Sequence, residues 1–332
     1  VSAKKYDVYG IGNAIMDFQM EVTEEELSSS GLEKGSMTLA ETADHQKLLA
    51  SLLNKEIKQS SGGSGANTII ALAQLGKSVA YGCIVGNDPR GKEYFSELQS
   101  LGVSLFNQPL EGGVTGLSMV MITPDAERTM STCLGITSTF GPEHVSDEAI
   151  ADSHWLYVEG YLFSSETGRA AVRHAVSVAR SSGTKVAVTL SDGFIVDFFK
   201  DDVTAAITGA DMLFANKNEA LKYVAVEDEV EALRVLKTLS KNVVITLGEK
   251  GALASYGGEE AKVEAFPVKA VDDTGAGDMF AAGFLDGIIR GLPVADSARL
   301  ACFLAGKVVS QYGARMKGDI LSMVEKEPGL LC

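Results

Sequence analysis

The sequence predicts an α/β protein in which a mostly parallel sheet carries helices on both faces, with a smaller β element beside it. Three observations carry that expectation. From residue 154 onward strand-like and helical stretches alternate regularly. Glycines and small polar residues recur where apolar runs end. Two β-like runs near 116–132 interrupt the alternation as a hairpin. A length of 332 residues suits about two domains, or one large α/β domain with an appendage. With 45% hydrophobic and 22% charged residues the chain has the makings of a packed core, which excludes a disordered or collagen-like protein.

In chain order, Tyr6 to Gly12 is an apolar run ending in glycine, a buried strand that delivers its end to a site. Residues 14 to 40 break the pattern, with alternation near Ile15 to Val22, an acidic patch at Glu24 to Glu26 and a short strand near Met37 to Leu39. Helical spacing follows over 41 to 55, then a glycine loop at Ser61 to Gly65, a helix over Ala66 to Leu75 and a strand over Ser78 to Val85. Gly116 to Thr123 and Glu127 to Thr132 flank a turn at Pro124 and Asp125. The regular part places strands at Trp155 to Glu159, Lys185 to Leu190, Asp211 to Ala215 and Asn242 to Thr246, with helices at Glu166 to Arg180 and Glu229 to Leu239. Two last helices span Gly277 to Arg290 and Val294 to Gln311.

Composition narrows the function. Lys plus Arg is 29 against 44 for Asp plus Glu, a net charge of −15, so a duplex-binding surface with clustered cations is not expected and nucleic acid is excluded as a partner. An anionic ligand then needs backbone N–H groups or a metal. Cys83, Cys133, Cys302 and Cys332 make no short paired spacing, which points to idle thiols in a reducing compartment rather than a zinc site or disulfide framework. The first residues enter a strand without a signal-like apolar stretch, and no run is long enough to span a membrane, so the expectation is a cytoplasmic protein.

The most informative segment is Asp272, Asp273, Thr274, Gly275, Ala276, Gly277 and Asp278, directly before a helical run. Small residues at a helix start let backbone N–H groups converge on an anion at the positive end of the helix dipole. Asp278 reads either as a simple partner of that dipole or as the base for a hydroxyl attacking a phosphoryl group. Gly62, Gly63 and Asn67 form a loop-to-helix junction that suits close ligand approach, or merely a turn. Asn13 and Asp17 follow the first strand and suit vicinal hydroxyls, or cap it. Asn216 and Glu219 follow another strand and suit the hydration shell of Mg²⁺, or cap a helix. Thr246, Gly248 and Gly251 offer a floor of small residues for a nucleotide. These residues recur at strand ends, the side on which open α/β sheets bind ligands.

With those residues in hand, the chain resembles the ribokinase-like, or phosphofructokinase B, carbohydrate kinases. The two signatures of that family are matched by the Gly62, Gly63, Asn67 stretch and by DDTGAGD, and the similarity runs from Tyr6 to about Ala314. The resemblance implies a three-layer ribokinase-like kinase domain over 1–332, with lid insertions at about 14–40 and 105–135. It implies ATP and Mg²⁺ as cofactors, Asp278 as general base and the backbone of Gly275, Ala276 and Gly277 as anion hole. It assigns Asn13, Asp17, Gly62, Gly63 and Asn67 to the sugar moiety, Thr246, Gly248 and Gly251 to the ATP side, and Asn216 with Glu219 to Mg²⁺ through water. Arg128 on the hairpin is a candidate to reach the transferred phosphate, or is solvated. Asp272 with Thr274 matches positions that hold a monovalent cation in some members, which makes K⁺ a further candidate. Two positions depart from the pattern: Asp273 stands where Thr is common, and Cys302 where ribokinase-type members tend to carry Asn near the adenine.

The stretches YDVYGIGNAIMD, TPDAERTMSTCLGI and LYVEGYL resemble the adenosine-kinase-like branch, which implies adenosine as acceptor, with another nucleoside or a sugar as the alternative. Met37, Phe106, Met119 and Leu134 are candidates to cover a nucleoside base, or are core residues, and Glu159 either faces the acceptor or caps a turn. A dinucleotide-binding protein is disfavoured because Ile15 replaces the third glycine after Gly10 and Gly12. A non-catalytic binder with this fold has no need of Asp278 in its glycine turn. Both a monomer and a homodimer are compatible with the sequence.

Overall fold

The computed structural model describes residues 4–331 except 53 and 126, so Val1 to Ala3 and Cys332 lie outside the described residues. In chain order the strands are β1 (Tyr6–Ile11), β2 (Ile15–Glu21), β3 (Met37–Leu39), β4 (Lys58–Gly62), β5 (Val79–Gly82), β6 (Ser104–Leu105), β7 (Gly116–Ile122), β8 (Arg128–Cys133), β9 (Ser153–Val158), β10 (Lys185–Thr189), β11 (Met212–Asn216), β12 (Val243–Thr246), β13 (Ala252–Tyr256) and β14 (Glu259–Val263). Among the described residues they form a nine-stranded sheet, ordered β14-β13-β12-β11-β10-β9-β1-β5-β6, and a five-stranded sheet, ordered β3-β8-β7-β2-β4.

The larger sheet is parallel from β6 to β12; only the β12–β13 and β13–β14 pairs are antiparallel. Its central strands read as apolar runs because both faces are covered. Val8 of β1 sits in register between Val79 and Trp155, and all three are buried. One face packs on helices Ser64–Gln74, Ala276–Arg290 and Val294–Val309, and the other on Glu166–Ser182 and Glu229–Leu236, giving three layers. Helix Glu166–Ser182 shows the local logic. Ser165 caps its N-terminus by accepting from Gly168 N, Gly183 ends it at φ 69°, and Gly168, Ala171, Val172, Ala175, Val176 and Ala179 form the buried stripe.

Several expectations are corrected. Ser61 and Gly62 are not loop but the end of β4, and the helix expected from Ala66 begins at Ser64 with Gly63 as its cap. The smaller sheet takes β4 as well as the two foreseen excursions, while Ser104 and Leu105 join the edge of the larger sheet. The β13–β14 hairpin is an addition to the expected elements: β14 (EEAKV) is a mostly polar edge strand whose apolar alternation, Ala261 and Val263, is short. Helix Pro89–Ser100, capped by Asp88 with Pro at its first turn, was likewise not anticipated. Cys83, Cys133 and Cys302 are free and buried. Among the described residues no helix is long and apolar enough to cross a membrane.

Candidate active site

The carboxyl ends of β1, β9, β10, β11 and β12 deliver Asn13, Glu159, Ser191, Asn216 and Thr246 to one cleft of about 740 Å³, walled on its other side by the smaller sheet. Of the residues expected at the site, Asn13, Asp17, Gly63, Asn67, Glu159, Asn216, Glu219, Thr246, Gly248, Gly275, Ala276, Gly277 and Asp278 line it. Gly62, Gly251, Arg128 and Asp272 do not. Gly62 lies directly beneath the Asp17 carboxylate, and Gly251 packs its backbone against Val263 and Glu264.

Asp278 sits in the first turn of helix Ala276–Arg290, at the cleft. Its Oδ1 accepts from Ser64 Oγ at 2.6 Å and its Oδ2 from Asn67 Nδ2 at 2.9 Å. Removal from bulk water pushes its carboxyl up to about 6, partly offset by those two donors and by the charge of Arg315. The helix is capped by Gly275 at φ 79°, a left-handed turn whose backbone lies against Ala314. The anion hole differs in detail from the expectation: Ala276 N–H is already given to Asp273 O at 3.1 Å, so the donors without an acceptor among the described residues are those of Gly275, Gly277 and Asp278.

Asn67 lines the cleft with its amide already partly engaged. Its Nδ2 faces Asp278, and its Oδ1 accepts from Arg315 Nε at 3.0 Å. Asn13 is similarly engaged: its N–H and Nδ2 both donate to Glu159 at 3.2 Å. Glu159 also accepts from Gly65 N at 2.8 Å, and so ties the end of β1 to the start of helix Ser64–Gln74. Burial outweighs those donors and raises its carboxyl to about 7. Asp17 is different. No protein donor among the described residues meets its carboxylate, and burial raises it to about 7 against the pull of Arg315 and Arg128. A half-buried carboxylate without a donor, facing a cleft, is a place for ligand hydroxyls.

At the other end of the cleft Asn216 and Glu219 form a reciprocal cap: Asn216 Oδ1 accepts from Glu219 N, and Glu219 accepts from Asn216 N and Nδ2. Both oxygens of Glu219 are thus engaged, and burial pushes its carboxyl up to about 7. The pair therefore fits a hydrated cation held at one remove, through water and ligand phosphates, and does not fit direct coordination. No group of three or more His, Cys, Asp or Glu residues suited to a metal occurs among the described residues.

Arg128 is neither solvated nor in the cleft. It is buried, with its guanidinium on Asp272 and Thr274 Oγ1, and it thereby fastens β8 of the smaller sheet to the loop before helix Ala276–Arg290. Asp272 additionally accepts from Thr274 N at 2.9 Å and from Gly313 N at 2.6 Å. A monovalent cation on Asp272 does not fit this arrangement, because a guanidinium already neutralises the carboxylate. Arg128→Met should lower the urea stability by about 3 kcal/mol, as it leaves a buried carboxylate uncompensated. Adding Asp272→Asn should recover part of that loss; equal or additive losses in the single and double variants would contradict the pairing.

The smaller sheet shows the cleft one face, read off the alternation of its strands: Ile15 and Asp17 on β2, Met37 and Leu39 on β3, Ser118 on β7, Met130 and Thr132 on β8. Cross-strand register lines up Asp17, Ser118, Thr132 and Leu39 in one row. Met119 falls on the opposite face and is a core residue, and Phe106 packs on Tyr6 and Tyr9, away from the cleft. Met37 and Leu134 do line it. Cys302 is buried in the core and does not line the cleft. Sequence reasoning missed Ser64, Arg315 and Ser191. Only Ser191 carries a backbone signature, φ 66° in a non-glycine residue, with its Oγ accepting from Gly160 N at 2.9 Å.

Comparisons with known proteins agree with the fold. The model of the pfkB family carbohydrate kinases matches residues 36–319. The crystal structure of an adenosine kinase from Sinorhizobium meliloti is 35% identical, covers 97% of this chain and 99% of its own, and superposes with a TM-score of 0.91. The structure described as "probable sugar kinase protein from Rhizobium etli CFN 42" is 32% identical, covers 97% and 98%, and also reaches 0.91. An adenosine kinase of Schizophyllum commune is 26% identical over 94% of this chain and 97% of its own length.

Proposed function

Because the chain belongs to the pfkB family of carbohydrate kinases, with their ribokinase-like fold, we propose that it transfers the terminal phosphoryl group of ATP to the hydroxymethyl oxygen of adenosine. The observation that carries the acceptor is the cleft face of the smaller sheet. It sets the unpartnered carboxylate of Asp17 beside apolar Ile15, Met37 and Leu39, and a nucleoside has both the hydroxyls and the flat apolar base to match. A free sugar has only the first. The smaller sheet then acts as the lid over the acceptor, with residues 15–39, 58–62 and 116–133 contributing its strands.

In this reading Asp17 and Gly63 hold the sugar moiety, with Asn13, Gly62, Asn67 and Glu159 as the frame that shapes its seat. Asp278 takes the proton of the attacking hydroxyl. The N–H groups of Gly275, Gly277 and Asp278 meet the charge that develops on the phosphoryl oxygens. Thr246 and Gly248 floor the nucleotide end, with Gly251 behind them, and Asn216 with Glu219 orients the water around Mg²⁺. ATP supplies the phosphoryl group and Mg²⁺ neutralises its phosphates. Closure of the lid excludes water, the competing acceptor.

The test is ADP release from Mg-ATP with adenosine, inosine, ribose, fructose or no acceptor. Release with adenosine at the lowest concentrations is expected. Release with a sugar alone would keep the kinase and overturn the acceptor, and silence across the panel with ATP bound would favour a non-catalytic binder.

A further inference from the structure

We propose that Arg315, outside both signature stretches, is the positioning residue of the base: its guanidinium fixes the Asn67 amide so that Nδ2 faces Asp278, and its charge lies beneath the cleft carboxylates. The inference rests on the kinase reading above. Arg315 Nε donates to Asn67 Oδ1 at 3.0 Å, and its NH1 donates to Ser61 Oγ at 3.2 Å and Glu97 Oε1 at 3.0 Å. A guanidinium only donates, so it selects the oxygen of Asn67 and leaves the amide nitrogen to the base. Flipping that amide would set donor against donor at Arg315 and acceptor against acceptor at Asp278.

A purely structural arginine would be expected to spend its whole fork on protein acceptors. Here NH2 is buried with no partner among the described residues, while the charge of Arg315 acts on both Asp278 and Asp17. The other groups facing Asp278 are Ser64, Asn67, Asp17, Glu159, Tyr157 and Tyr161, among which no cation stands. Lys217, also on the cleft, is paired to Glu229 as Arg315 is to Glu97, but of the two it is the charge of Arg315 that acts on Asp278. Arg315 is therefore the cation placed to keep the base charged as it is held in line.

The experiment follows the ¹³Cγ resonance of Asp278 in full-length protein labelled at the aspartate carboxyls, assigned by its loss in Asp278→Asn. Arg315→Met should raise the titration midpoint by about one pH unit. Glu97→Gln, which removes the carboxylate charge that pairs with Arg315 and accepts from Ser61 Oγ, should not raise it. With Mg-ATP and whichever acceptor the wild type phosphorylates, Arg315→Met should lower kcat roughly 10–100-fold and move the acid limb of its pH profile the same way, with KM changed less than about threefold. Arg315→Lys, which keeps the charge and loses Nε, covers a failure of Arg315→Met to fold. Its midpoint should stay within about 0.3 unit of wild type and its kcat should fall about tenfold. An unmoved midpoint in Arg315→Met, an equal rise in Glu97→Gln, or full kcat in Arg315→Lys overturns the proposal. A wild type that phosphorylates nothing sinks the kinase reading separately, and the carboxyl titration alone then decides the role of Arg315.

Discussion

Asp278→Asn is expected to bind Mg-ATP, to lose turnover by roughly 10²–10⁴-fold, and to be more stable than the wild type at pH 8. The loss of turnover follows from removing a carboxylate that stands at the cleft in the first turn of helix Ala276–Arg290, beside the N–H donors that have no acceptor among the described residues. The gain in stability follows from linkage. Burial raises the folded-state value of Asp278 to about 6, above that of an exposed Asp, so the folded chain holds this proton more tightly than the unfolded one. Stability from this group is therefore greatest below about pH 4, falls as pH rises towards 6, and stays reduced above it. The neutral amide escapes that cost, so its gain should reach up to about 2 kcal/mol at pH 8 and vanish near pH 4. Steady-state assays with urea melts at the two pH values check both. Turnover within tenfold of wild type would remove Asp278 from the reaction.

Gly275→Ala should damage the same end of the site through the backbone. A side chain at φ 79° costs about 1–2 kcal/mol. Its Cβ would also stand 2.7 Å from Ala314 Cα and collide with Ala314 O, so the turn must shift. The N–H groups of Gly277 and Asp278 shift with it, and a displacement near 1 Å at reacting groups is worth about 10²-fold in rate. The expected variant is folded, less stable by about 3 kcal/mol and slower by about 10²-fold, with ATP affinity reduced as well. Wild-type turnover would show that this turn does not set the phosphoryl oxygens. Gly277→Ala tests stability alone and should stay near wild type in urea, since a Cβ there meets no protein atom within 4 Å.

The sequence made the layer order, the excursion from the main sheet and the glycine turn before Asp278 legible, because each rests on local pattern: buried apolar runs, alternation, small residues before a helix. The partners of the candidate site were not legible to the same degree. Asn67 and Asn13 are expected as ligand-binding amides, and both line the cleft, but that tertiary packing also ties them to Asp278 and Glu159 is a matter of distance in space that no spacing encodes. Arg128 was foreseen as either solvated or on a phosphate, and a carboxylate from the far side of the chain claims it. Arg315 gave no signal at all, since an arginine in YGARMKG reads as a polar loop until the fold sets it against Asn67. Met119 and Met130 look alike as methionines on a hairpin; strand parity alone puts one in the core and the other at the cleft.

The loop before Asp278 is fastened from behind by Gly313 and Ala314, and its amide partner by Arg315. The pairs that build the site join residues 211 and 248 positions apart, Asn67 to Asp278 and Asn67 to Arg315. During synthesis the base therefore has no finished surroundings until the segment around residue 315 has left the ribosome. The chain must keep its early strands from pairing wrongly while it waits, a burden on folding that grows with the separation of contacting residues.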